Sequence, residues 1–172
     1  MSFKFEVMIQ SLQVASQYIG TTLFMAITAI VIGVILGLGI ALIRLYRIKG
    51  LSQFFQVVVT LLKGIPMVLI ILALYLIASK QFDVWSESMN WSLRFRDFNM
   101  VWIAISALSL LATINSSEIF RGAFAAIQKG QFDAAKSMGM TNLQTIRRVL
   151  LPQAIPISLP MFSNLLIGLV KA

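Results

Sequence analysis

The sequence predicts an all-α protein, a polytopic transmembrane helix bundle. Two observations carry this. The 172 residues are 59% hydrophobic and only 12% charged, a balance that soluble domains of this size rarely reach. The charges also cluster, leaving four uncharged stretches: Val7 to Ile43, Gly64 to Ser79, Phe98 to Ser117 and Val149 to Val170. Apolar runs of about 20 residues match the hydrocarbon thickness of a bilayer.

Residues 3–18 are mildly apolar with polar interruptions. They fit either a helix lying on the bilayer or an extension of the first span. The first clear span is Gly20 to Ile43. Ala29, Gly33, Gly37 and Ala41 recur every four residues along it, and small residues at that spacing let a second backbone approach closely. Packing within one chain is the expected use, an intersubunit seam the other. Arg44, Arg47 and Lys49 follow as a basic turn. Leu51 to Leu62 is apolar but too short to cross, so it reads as an interfacial helix. Gly64 and Pro66 break the chain before a second span that ends at about Ala78.

Lys80 to Asp97 reads as a polar loop with Trp85 and Trp91 at a membrane boundary. The third span is Phe98 to Ser117. Glu118 to Arg148 is a polar stretch, with Glu118 expected to pair with a nearby base, and Val149 to Val170 is the last span. Loop 44–50 is purely basic, loop 80–97 is neutral, and loop 118–148 is again basic. The positive-inside rule then puts the N-terminus outside and both basic loops in the cytoplasm. The first apolar region is far longer than the core of a signal peptide, so no cleavable leader is expected. The net charge of +8 is read as this loop bias and not as a nucleic-acid surface.

No Cys or His is present. That removes thiolate sites, the commonest metal ligand and the commonest general base, and argues against a membrane enzyme. No charge lies in mid-span, which argues against an ion-coupled secondary transporter. The intramembrane polar residues Thr113, Asn115, Ser163 and Asn164 are candidates for a translocation path, with interhelical hydrogen bonding as the alternative. Pro152, Pro156 and Pro160 lie four apart and predict a bent last span, whether static or near the path.

The cytoplasmic stretch Lys129 to Ile155 is patterned locally. Gly130 is expected to break the preceding helix. Phe132, Ala135 and Met138 fall on one face of a short helix, Gly139 fits a helix stop, and Thr141 with Gln144 fits a capping box. The next helix runs toward Arg147 and Arg148. Two short helices joined at a glycine make a knob. Its Ala134, Ala135, Met138 and Met140 suit either a partner's groove or rest on the chain's own bundle.

This stretch resembles the signature of the membrane (permease) subunits of binding-protein-dependent ABC importers. That signature is Glu-Ala-Ala, three residues, Gly, nine residues, Ile, one residue, Leu-Pro. Here Asp133-Ala134-Ala135, Gly139, Val149 and Leu151-Pro152 stand at the same spacings. "SSEIFRGAFAAIQKGQFDAAKSMG", "LLKGIPMVLIILALY" and "LPMFSNLLIGLVK" are similar to the polar amino-acid branch.

The resemblance implies a single transmembrane permease domain over 1–172, with a coupling segment at about 118–148 that docks on a cytoplasmic ATPase subunit. Asp133, Ala134, Ala135 and Gly139 would form the docking core, and Phe132, Lys136, Met138 and Met140 its flanks. It also implies a second permease chain, identical or homologous, and an extracytoplasmic solute-binding protein, in a prokaryotic cytoplasmic membrane. The chain would bind no cofactor. No G-x-x-x-x-G-K-[ST] pattern occurs in it, so ATP and Mg would be held by the partner. Family members continue past "GLVK" with a further span; with the sequence stopping at Ala172, the expectation is either a truncated product or a piece of a longer chain. A permease for another small solute is the nearest alternative.

Overall fold

The structure is a computed structural model describing residues 5–92, 94–97 and 99–171, with Phe5 and Glu6 described in backbone only. Seven α-helices follow in chain order, with no strand among the described residues. Four helical runs are long and apolar enough to cross a membrane: Val7–Leu45, Met67–Ser88, Met100–Ala126 and Asn142–Val170.

Helix α1 spans Phe5–Leu45 without interruption. The 3–18 stretch, from Phe5 on, is therefore the start of the first span's own helix. Its residues 3 and 4 lie outside the described part. No proline stands in α1, and its first glycine is Gly20, so nothing stops the helix early. Helix α2, Leu51–Lys63, is joined to α1 by a tight turn in which Arg47 and Gly50 take positive φ. Gly64 ends α2, and Pro66 caps the start of α3, Met67–Ser88.

Helix α3 runs about ten residues past the Ala78 end read from the sequence. Polar residues there replace apolar ones, but none is a helix breaker, so solvent takes over from lipid while the helix continues. The true connection to α4 is short and folded back. Asp83 accepts a hydrogen bond from the Phe95 N–H at 2.7 Å, and the Phe95 ring packs on Tyr75 and Phe82 at 5.6 and 6.4 Å.

Helix α4, Met100–Ala126, is capped by Asn99, whose side chain accepts from the Val101 N–H at 3.0 Å. It is the most buried helix, packing along α1 on one side and α7, Leu151–Val170, on the other. The small-residue stripe of α1 lies in this contact. Ala29 and Ala41 are fully buried. A Cβ added to Gly33 would stand 2.4 Å from Ala112 Cβ, and one on Gly37 would stand 2.6 Å from Ser116 Cβ. The stripe is thus used within the chain, against matching small residues of α4.

Two apolar clusters hold the three helices at opposite ends. Ala26, Ala29, Leu108, Ala112 and Leu169 form one. Ala41, Phe120, Ala123, Phe124, Leu150 and Ala154 form the other, with Phe162 edge-on to Phe120 at 5.1 Å. Outside these clusters, large apolar side chains such as Val68, Leu12 and Ile35 face outward, as lipid requires.

Candidate functional site

Residues 129–145 form two short helices on top of the second cluster. The break after α4 falls at Ile127 and Gln128, both extended, and not at Gly130, which lies inside α5, Lys129–Ser137. Gly130 has open space around it and an ordinary negative φ, so the helix simply absorbs it. At the far end the sequence reading holds: Gly139 takes φ +75°. The Met140 N–H reaches the Ala135 carbonyl at 3.1 Å and the Gly139 N–H reaches Lys136 at 2.9 Å. That pair of bonds is a complete Schellman stop. Thr141 and Gln144 then form the expected capping box, at 3.3 and 2.9 Å, opening α6, Asn142–Thr145.

Helix α6 does not end at Arg147 and Arg148. It passes through a π turn, Ile146–Leu150, directly into α7. The wider turn relieves the clash a proline ring makes with the carbonyl one turn back, and Pro152, following it at once, brings no N–H to continue the ladder there. Knob and last span are therefore one helical run of 29 residues, Asn142–Val170.

The knob has two faces. Phe132 is half-buried against the second cluster and the Tyr46 ring, 6.3 Å away, and Ala135 is 5% exposed. Met138 does not share that face. It follows the end of α5, where the backbone turns toward Gly139, and is 80% exposed. Asp133, Ala134, Lys136 and Gly139 are also exposed, whereas Met140 is half-buried. Of the four apolar groups read as the exposed face, Ala135 and Met140 thus face inward to different degrees. Leu143 of α6, not singled out from the sequence, is 73% exposed. Lys136 pairs with Asn142 Oδ1, and its Nζ lies 3.4 Å from the Met140 carbonyl. That bond ties α5 to α6 across the glycine. Tyr46 donates to the Asn142 carbonyl at 3.3 Å, fastening the knob to the α1–α2 turn, and burial pushes its phenol pKa up.

Beside the knob, Glu118 gathers cations from three helices. Arg44 at the end of α1 donates to Oε1. Arg121 of α4 donates to Oε2 at 3.0 Å, and Lys63 at the end of α2 stands 3.6 Å from Oε2. The Arg44 and Glu118 side chains are 12% and 19% exposed, so this pair is drier than a surface bridge and more sensitive to loss of a partner. The expected pairing of Glu118 is realised with partners on all three helices. Arg44 and Lys63 were legible only as basic helix ends.

The intramembrane candidates are not gathered into one cavity. Thr113 is buried in the α1–α4 contact and donates to Ser109 O at 2.7 Å. Asn115 is half-buried and donates to Leu111 O at 2.9 Å. Ser163, which bonds Leu159 O at 3.1 Å, and Asn164 are exposed on α7. None of the four lines the large cleft bounded by α1, α2 and α4.

Comparisons with known proteins agree with this architecture. The family model described as "Binding-protein-dependent transport system inner membrane component" matches residues 29–172. The probable amino-acid permease protein YxeN of Bacillus subtilis is 34% identical over 166 residues, covering 96% of this chain and 70% of its own. The probable amino-acid ABC transporter permease protein PatM of Vibrio harveyi is 30% identical over 172 residues, covering 100% of this chain and 73% of its own. A solved amino acid ABC transporter with histidines superposes with a TM-score of 0.76 at 27% identity, over 99% of this chain and 74% of that one. The chain belongs to the family of inner-membrane components of binding-protein-dependent transport systems.

Proposed function

We propose that the chain is the translocation subunit of an ABC importer for a polar amino acid. It works as a dimer with a second permease chain, identical or homologous, as one membrane unit with its N-terminus outside a prokaryotic cytoplasmic membrane. An extracytoplasmic binding protein delivers the solute. Cytoplasmic ATPase subunits bind ATP and Mg and drive the cycle, while this chain holds no cofactor. The amino-acid class is supported by the names of the relatives matched above, and the ATPase by the family signature at Asp133–Pro152.

The observation that carries the proposal is the exposed apolar tip of the knob. Met138 and Leu143 are 80% and 73% exposed on a segment otherwise tightly fastened. Phe132, Ala135 and Met140 seat the knob, and Asp133, Ala134, Lys136, Met138 and Gly139 meet the ATPase. Alternating access then follows from helices moving between two packings as the ATPase closes. Thr113 and Asn115 serve the α1–α4 contact and their own helix. Ser163 and Asn164, exposed on α7, are the better candidates for a path shared with the second chain.

Co-purification with the ATPase encoded beside this chain tests the docking. Wild type captures it. Asp133→Arg and Met138→Asp, both surface changes, lose it while the chain remains monodisperse. Capture by both variants refutes docking at the knob.

A further inference from the structure

The cleft between the end of α1, helix α2 and the end of α4 holds more positive charge than its own ion pairs use. Arg44, Arg47, Lys49, Lys63 and Arg121 line it, against the single carboxylate of Glu118. Five cations against one anion leave an excess of four positive charges around a space of about 1150 Å³. Glu118 is committed to Arg44, Lys63 and Arg121. Arg47 and Lys49 have no ion-pair partner among the described residues.

Helix α2 gives the cleft its second character. Its Gln53, Gln56 and Thr60 line the cleft. The flank about 100° round the helix carries Phe54, Val57 and Leu61, which are 59%, 58% and 65% exposed. Thirteen residues cannot cross a bilayer. A short helix polar on one side and apolar on the other lies in the interfacial plane, which sets the cleft at headgroup depth with acyl chains within reach of α2.

We propose that this cleft binds the phosphate of an anionic phospholipid headgroup. Guanidinium groups pair with phosphate oxygens in bidentate fashion, and the Gln and Thr side chains offer hydrogen bonds to a glycerol headgroup. The chemistry shared with free phosphate is the phosphate anion itself. The apolar face of α2 and the size of the cleft favour the lipid. The site borders the knob but takes none of its residues, and it does not depend on the identity of the transported solute.

The test is native mass spectrometry of the full chain titrated with phosphatidylglycerol or phosphatidylcholine, with inorganic phosphate and glycerol 3-phosphate as soluble competitors. Phosphatidylglycerol is retained over phosphatidylcholine, and the competitors do not displace it. The double variant Arg47→Asn and Lys49→Gln weakens retention by about 25-fold, near fivefold for each cation removed. Asn suits position 47 because it tolerates the positive φ found there. Lys80→Gln with Arg96→Gln makes the same charge change around the α3–α4 connection, outside the cleft, and leaves retention unchanged. Equal retention of the two lipids, an equal loss in the control variant, or displacement by inorganic phosphate overturns the proposal. If the 47/49 variant does not fold, the wild-type lipid preference and the competition decide alone.

Discussion

Replacing Gly33 by alanine puts one methyl group into the close α1–α4 contact. The new Cβ would lie 2.4 Å from Ala112 Cβ, 2.7 Å from Ala112 C and 2.9 Å from Thr113 N. Carbon atoms prefer separations near 3.5–4.0 Å, so α1 and α4 must part by about 1 Å. Two of the three contacts are backbone, which cannot swing aside as a side chain would. Overpacking of this kind costs about 1–3 kcal/mol, a fall in apparent Tm of about 2–12 °C for a chain of this length. Gly39→Ala is the matched control. It lies on the same helix with nothing within 4 Å of its added Cβ, and helix propensity makes it neutral or stabilising by up to about 1 kcal/mol. The double change Gly33→Ala with Ala112→Gly removes the 2.4 Å clash but leaves the two backbone contacts, so rescue is partial. Thermal melting in detergent, followed by size-exclusion fluorescence, measures all three. Equal melting of the Gly33 and Gly39 variants refutes close α1–α4 packing.

Three further outcomes follow from the end of the bundle that carries α5 and α6. Glu118→Gln leaves Arg44, Lys63 and Arg121 without a counter-charge and costs about 1–3 kcal/mol; the deficit narrows at high salt because the Lys63 and Arg121 legs are exposed, which melts at two ionic strengths will reveal. Thr141→Ala removes the α6 cap and about 1 kcal/mol with it, seen as faster trypsin cleavage after Lys136 and no change in the spans. Gly139→Ala meets no neighbour, yet forces an L residue to φ +75° at about 1–2 kcal/mol. Gly139→Asn costs less, and the order of the two in a melt checks that backbone, not packing, is the cause.

The spans were legible because lipid imposes its own rule: charge is excluded over about 20 residues, and the gaps between charges mark where. The knob's turn was legible because Gly139, Thr141 and Gln144 act locally, through bonds that reach only a few residues. Ends were harder. Helix α3 continues to Ser88 since leaving lipid does not itself unwind a helix, and Gly130 reads as a breaker only if propensity outweighs the hydrogen bonds around it. The Glu118 cluster needed the third dimension, because Arg44 lies 74 residues away in sequence. Periodicity put Phe132 and Ala135 on one face but did not say which way it points; the structure turns it inward, Ala135 included. Periodicity misplaced Met138, which falls just where α5 gives way to the left-handed turn.

The continuity of α6, the π turn and α7 has a mechanical meaning. At 1.5 Å per residue, the 29-residue run is a rod about 44 Å long, helical without interruption from its α6 tip to its far end. Pro152, Pro156 and Pro160 each withhold an N–H, and at four-residue spacing each gap is turned about 40° from the last, so the three share one broad side of the rod. A rod weakened on one side bends more readily toward or away from that side than across it. A sideways push on the tip is therefore delivered to the far end as a tilt biased to the side where the prolines fall.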